Sequence, residues 1–313
     1  MRRAISIAVL LAVLVSFLLV SSPAESQGRD PKKTIAVLDF DNKSDALGYV
    51  GLGDAFSDQI GEALSKTSRF IVLNKEDLKF VVAEQEDVKG PDRYFSKSIV
   101  AVKDKMIPAQ VFIRGVITEF ESRTKYRDSD MEMIDSEWGN YAVNNEREAG
   151  YVTLLLAIVD STTGEVLYSK KIKGEAEGIV KIFDYTYKEE ANLDNRNFKK
   201  TPIGRATQIV IDNSVEYIKD RLSRISWEGK ITKVEDSTCY INAGEKTGIK
   251  KGDVFIVYRG VYTVADSDKD VSMDVAKIKV GTVQVYEVEE DFSKAKISGL
   301  TRKVKEGDVV SVQ

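Results

Sequence analysis

The densest groups of reactive side chains are carboxylates. Asp128, Asp130, Glu132, Asp135 and Glu137 form one cluster, and Asp266, Asp268, Asp270 and Asp274 form another. Acids at this spacing suit a calcium loop, whose oxygen ligands converge on the ion, but such a loop also needs glycine at its sixth position and a bidentate glutamate at its twelfth. Those positions are Met133 and Gly139 in the first cluster, and Val271 and Lys277 in the second. Both clusters are read as solvated loops, and no metal ligand is assigned. Gly51 and Gly53 suggest a dinucleotide turn, yet the third glycine is replaced by Phe56 and the pair lies too far beyond its strand. Their expected role is to permit a tight turn into a helix. The chain has neither GxxxxGK[ST] nor HExxH.

Composition narrows the chemistry further. The 313 residues include no histidine and one cysteine, Cys239. That excludes Ser-His-Asp and Cys-His catalysis, histidine-ligated zinc or haem, an intrachain disulfide, and thiolate clusters. Carboxylate, lysine, tyrosine or Ser/Lys chemistry stays open, but no residues stand out for it, so the chain is read as a non-enzyme without a cofactor. Cys239 sits in an apolar, strand-like run and is expected to be a buried thiol. With 46 basic and 50 acidic residues interleaved and a formal charge of −4, there is no basic patch for nucleic acid.

Arg2 and Arg3 precede an apolar run from Ala4 to Val20, followed by Pro23 and small residues. This reads as a Sec signal peptide spanning residues 1–24, cleaved after Ala24, rather than an uncleaved anchor. Because no cysteine follows the apolar run, a lipid anchor is not expected. The predicted compartment is the periplasm.

The pattern past this leader alternates strand and helix. Thr34–Phe40 (TIAVLDF) reads as a buried strand, and Phe56, Ile60, Ala63 and Leu64 share one helical face. Phe70–Leu73 is a strand, and Asn74 is placed to cap a helix from Lys75 to about Glu86. A further helix is assigned to Ser98–Met106. Val111–Phe120, Tyr151–Val159 and Val166–Ile172 are strands, the last two joined as a hairpin through Gly164. Pro202 opens a long amphipathic helix carrying Ala206, Ile209, Val210, Val215, Ile218 and Leu222 on its apolar stripe. After Trp227 short strands are punctuated by glycine, with Ala265–Ala276 as a charged loop. KKGDVFIV at 250–257 returns as KEGDVVSV at 305–312, and GKITKV at 229 resembles GTVQVY at 281. These echoes suit a small β-barrel. The predicted architecture is a mixed α/β domain of three-layer type over 34–223, followed by a small SH3-like β-barrel over 227–313.

IAVLDFDNKSD, VTLLLAIVDSTTGEVLYS, IFDY and TPIGRATQIVIDNSVEYI, in this order, resemble the curli-secretion-channel (CsgG-like) family over about Thr34–Leu222. From Gly229 the chain looks like the C-terminal barrel of flagellar assembly protein T. The resemblance implies a mixed α/β periplasmic domain, and its best-known members form an outer-membrane ring exporting amyloid-fibre subunits; for this chain a homo-oligomer, envelope-protein partners and peripheral outer-membrane association are expected. In channel members two hairpins become membrane strands, and the matching segments here are about Ser122–Gly150 and Gly174–Lys200. Thr124–Glu137 and Lys188–Lys200 put charge on both faces of such a strand, which disfavours lipid. The family's constriction loop corresponds to about Asp41–Leu52, and no pore role is carried onto Asn42 or Tyr49. The expected function is a non-enzymatic scaffold or adaptor in assembly or export of surface polymers or appendages. An outer-membrane pore subunit is the alternative, and a carboxylate-based envelope hydrolase a remote one.

Overall fold

The first strand, β1 (Lys33–Val37), pairs in parallel with β3 (Phe70–Leu73) on one side and β4 (Val111–Arg127) on the other. Between them in sequence, β2 (Asp41–Asn42) continues along β4 beyond β1. β4 then runs antiparallel to β7 (Asn145–Asp160), and β7 to β8 (Val166–Lys181), giving a six-stranded mixed sheet ordered β3-β1-β4-β7-β8. β5 (Glu132–Ser136) and β6 (Gly139–Val143) pair with each other between β4 and β7. This computed structural model describes residues 30–46, 51–73, 109–127, 132–136, 139–143, 145–161, 163–181, 193, 195–265, 272–299 and 301–312. Pro31–Gln313 form one compact unit. The helices assigned to Lys75–Glu86 and Ser98–Met106 lie outside the described residues.

Helix α1 (Leu52–Lys66) buries Phe56, Ile60 and Leu64 completely, as their helical spacing requires. Each such side chain is worth about 1.5–3 kcal/mol. A short helix α2 (Arg196–Lys200) precedes α3 (Pro202–Leu222). The expected proline start is observed: Pro202 is at the first turn, and the Thr201 hydroxyl accepts from the Gly204 amide at 3.1 Å. Ala206, Val210, Val215, Ile218 and Leu222 enter the same core as α1, whereas Ile209 is 38% exposed. The buried stripe runs through Ile203, Ala206, Val210, Ser214 and Ile218, and Ile209 lies about 100° round the helix from Val210.

Two glycines hold α1 close to the sheet. Phe40 follows β1 and is buried. A Cβ at Gly115 in β4 would stand 2.4 Å from its ring, and one at Gly53 in α1 would stand 1.8 Å from its carbonyl oxygen. Gly51 takes a left-handed φ of 73° at the helix start. The expected tight turn is thus present, and Gly53 adds a close helix–strand approach that the spacing did not suggest.

The strands β9 (Glu228–Glu235), β10 (Thr238–Ile241), β11 (Val254–Ala265), β12 (Ser272–Val288), β13 (Ser293–Ser298) and β14 (Val309–Ser311) close into a barrel ordered β10-β13-β12-β11-β14-β9. Trp227, Phe255, Val257, Val283, Val285 and Cys239 fill it. The stretch Ala265–Ala276, expected as a loop, is strand at both ends: β11 reaches Ala265 and β12 takes in Ser272–Ala276, with Ala265 opposite Ser272, while 266–271 lie outside the described residues.

The internal echo is a structural repeat. In both copies Lys-x-Gly-Asp forms one turn, with Gly252 at φ 99° and Gly307 at φ 85°, and with the aspartate accepting from the lysine amide at 2.8 Å (Asp253 from Lys250, Asp308 from Lys305). The Gly252 amide donates to the Val285 carbonyl and the Gly307 amide to that of Ile231. Ile231 therefore corresponds to Val285, and Gly229 to Val283 rather than to Gly281. Cys239 pairs with Ala295 and Ile256 with Ser311, so each of these strands meets its own counterpart, as around a pseudo-two-fold axis.

Candidate functional site

Toward the end of the sheet where apolar alternation stops, β4, β7 and β8 continue together as a ribbon with one charged face. The register sets Glu119 opposite Thr153, Glu121 opposite Tyr151, and Arg123 opposite Ala149, with Lys173, Glu175 and Glu177 as the next partners across β7. Arg123 pairs with Glu121 and Lys125 with Glu177, while the Arg123 guanidinium lies 4.8 Å from the centroid of Tyr151. The Thr153 hydroxyl donates to Glu119 Oε2 at 2.7 Å. The hydrogen bond from Lys125 holds the Glu177 carboxyl below its ordinary range and, reciprocally, raises the Lys125 ammonium. This face is therefore a two-sign network in which basic and acidic groups answer each other.

The other face of the ribbon is paved with small residues because α3 crosses it. A Cβ on Gly150 would stand 2.4 Å from the backbone of Ile203, and one on Gly174 would stand 2.1 Å from the Ala206 carbonyl oxygen. At Gly178 the Arg205 guanidinium takes that space and donates to the Glu177 carbonyl. The glycines let helix and sheet approach to backbone contact. Of the two segments matched to membrane hairpins, 122–150 is the end of β4, the β5–β6 pair and the start of β7; 174–181 is the end of β8. Arg196–Lys200, read as part of a charged strand, is helix α2, capped by the Asn195 side chain, so strand alternation does not apply there.

Where the sheet meets the barrel, the Lys32 amide donates to the Thr247 carbonyl at 2.6 Å and Gln110 Nε2 to the Ser226 carbonyl at 2.7 Å. A cavity of about 120 Å³ lies beside these bonds, lined by Gln110, Ser161, Trp227 and Asn242 among others. Gln110 Oε1 has no hydrogen-bond partner among the described residues. Nearby, Lys277 pairs with Glu228. Within the barrel, Asp308 is 3% exposed and accepts from Arg259 Nε and an Nη at 2.7 and 2.8 Å. These groups join elements together; the cavity is also bordered by Asp160, Glu228, Lys230 and Lys277, and its Ser161 hydroxyl donates to the Ala109 carbonyl at 2.5 Å.

The side chains of the two acidic clusters lie outside the described residues. Asp128, Asp130, Glu137, Asp266, Asp268 and Asp270 lie outside the described residues, as does Tyr49. Among the described residues no group of three or more Cys, Asp or Glu could hold a metal ion. Asn42 belongs to β2 rather than to a loop, and its Oδ1 accepts from the Ser44 amide and hydroxyl at 3.0 and 2.6 Å. Cys239 is fully buried, and desolvation pushes its thiol pKa up to about 12, the opposite of a reactive thiolate. The charged ribbon was missed because pairs such as Lys125–Glu177 and Thr153–Glu119 join residues on different strands; the alternating charge along Glu119–Lys125, where Arg123 meets Glu121 on the same strand, hinted at it.

The chain was compared with known proteins. Residues 236–312 match the C-terminal domain of flagellar assembly protein T. No curated protein matches by sequence. Among solved structures, hypothetical protein CT253 from Chlamydia trachomatis is similar at 16% identity and a TM-score of 0.39, over 62% of this chain and 99% of that one. Lipoprotein GNA1162 from Neisseria meningitidis is similar at 13% identity and TM-score 0.26, over 62% and 99%. A PelC dodecamer from Paraburkholderia phytofirmans is similar at 8% identity and TM-score 0.25, over 59% and 89%. Residues 18–252, most of the chain, match the model for the curli production assembly/transport component CsgG, and the chain belongs to that family.

Proposed function

We propose that this protein is a non-enzymatic scaffold or adaptor of the cell envelope, exported to the periplasm. It would serve the assembly or export of a surface polymer or appendage as a homo-oligomer packed through its α/β domain. Family membership supports the envelope and polymer-assembly part of this reading. The match to the flagellar assembly protein supports a partner-facing role for the barrel. We place the boundary between the two domains between Ser223 and Trp227, where α3 has ended and β9 has not begun.

The observation that carries the scaffold reading over the pore is the ribbon. A strand spanning lipid needs one apolar face, and a Lys or Arg on that face at mid-bilayer costs about 2–4 kcal/mol. In the described part of the ribbon, one face carries Glu119, Glu121, Arg123 and Lys125, and the other carries Gly150, Gly174 and Gly178 beneath α3. Opening it for lipid would break the cross-strand pairs and strip α3 from the sheet. Among the described residues no helix is long and apolar enough to cross a membrane, which leaves strands as the relevant question. Fractionation of expressing cells tests the proposal. Recovery in the soluble periplasmic fraction without detergent is expected, and heat-resistant rings in the outer membrane would overturn it in favour of the pore.

A further inference from the structure

β8 is sixteen residues long, and among the described residues β7 is its only partner, so its far edge presents alternate N–H and C=O groups outward. Such an edge can accept an extended polypeptide as an added strand, with main-chain hydrogen bonds for affinity and side chains for selection. The two halves of β8 differ in charge. Glu175 and Glu177 both lie within 4 Å of Lys125. Lys170, Lys171 and Lys173 are all exposed, and none forms an ion pair among the described residues. Among the described side chains, the uncompensated positive charge of the edge is therefore on Lys170, Lys171 and Lys173.

A shallow groove of about 440 Å³ runs beside this half, between β8 and the C-terminal part of α3. Its wall is built from stacked cations and aromatics: Lys170 Nζ is 5.1 Å from the centroid of Tyr217, and the Arg221 guanidinium is 5.2 Å from Tyr217 and 5.4 Å from Tyr168. The Tyr217 hydroxyl donates to the Ser169 carbonyl at 3.1 Å, fastening the wall to the strand. The acids of the wall are occupied, Glu216 by Lys219 at 2.6 Å and Asp220 by Arg224 at 3.1 Å. What faces outward is a main-chain edge with lysine ammonium groups above and below it.

We propose that the Val166–Lys173 half of β8 docks an extended acidic segment of a partner polypeptide as an added strand, its carboxylates meeting Lys170, Lys171 and Lys173. This goes beyond the scaffold reading and does not depend on it. Lysines on an edge also guard against edge-to-edge aggregation, and the experiment separates the two roles. The full chain is titrated with fluorescent eight-residue peptides: one alternating Thr and Glu, one alternating Thr and Lys, and an alternately N-methylated copy of the first. Binding is read by anisotropy, and amide hydrogen exchange is read over Val166–Lys173. The acidic peptide is expected to bind and to slow exchange in that stretch, while the basic and N-methylated peptides bind at least about tenfold more weakly. Lys171→Glu with Lys173→Glu is expected to weaken the acidic peptide by about tenfold. Lys171→Thr with Lys173→Thr, a milder change on exposed positions, should give a smaller loss. Equal binding of acidic and basic peptides, or no slowing of exchange at β8, would overturn the proposal. So would self-association of the threonine variant together with no acidic-peptide binding by the parent chain, which would leave the lysines as guards only.

Discussion

Replacing Asp308 with alanine should destabilise the barrel well beyond the same replacement at Asp253, although the two aspartates make the same turn. Each accepts from the amide three residues before it at 2.8 Å, and loss of such a cap costs about 1 kcal/mol. Asp308 alone also receives the Arg259 guanidinium in a two-pronged contact. Removing one partner of a buried pair costs about 3–5 kcal/mol, mostly because a charge is left unanswered. Here Asp308 is 3% exposed but Arg259 is 26% exposed and keeps the Lys303 carbonyl, so water can resolvate part of it. The expected cost is about 2–3 kcal/mol for Asp308→Ala against about 1 kcal/mol for Asp253→Ala. Urea denaturation in a Trp138→Phe background would report it through Trp227, which is buried against Phe255 at 5.3 Å in the barrel core. Adding Arg259→Met to Asp308→Ala should recover part of the loss by removing the orphaned charge. Equal midpoints for the two aspartate variants, or a further loss on adding Arg259→Met, would refute the assignment of the cost to the ion pair.

Gly174→Val should loosen α3 from the sheet, since even its Cβ would stand 2.1 Å from the Ala206 carbonyl oxygen. Overpacking of this kind costs about 1–3 kcal/mol, and faster amide exchange in α3 than at β1 would show it, whereas unchanged exchange would sink the close-packing account. Cys239 should resist a thiol reagent at pH 8 in the folded chain and react fully in urea; reaction of the folded chain would contradict its burial. Its thiol pKa is raised from 9.0 to about 12, so its contribution to stability is complete below pH 9 and falls as pH rises through about 12. Replacement with serine should flatten the alkaline limb of stability over that window.

The ordering of strands and helices was legible because local rules dictate it. Phe56, Ile60 and Leu64 recur at the helical period, Pro202 with Thr201 marks a helix start, and Gly164 marks the β7–β8 turn. Strand lengths were less legible. Tyr151–Val159 and Val166–Ile172 read as short because alternation of apolar residues stops at the end of the core, while main-chain pairing continues into Glu146 and Val180. The same reason hides β11 and β12 within a stretch that reads as a charged loop.

Composition by itself removed histidine and disulfide chemistry, because a missing side chain cannot be supplied by folding. The motifs carried the family, and the Lys-x-Gly-Asp echo announced a repeat. Only the tertiary structure decided that the repeat is a barrel whose halves meet at Cys239–Ala295 and Ile256–Ser311, and that one of its two aspartates holds an arginine. It likewise decided that Gly150 and Gly174 are the floor beneath α3 and that Lys125 answers Glu177. The physical reason is sequence separation. Periodicity and turn chemistry act between neighbours along the chain, whereas these contacts join residues tens of positions apart, and only the register of the folded sheets brings them within bonding distance.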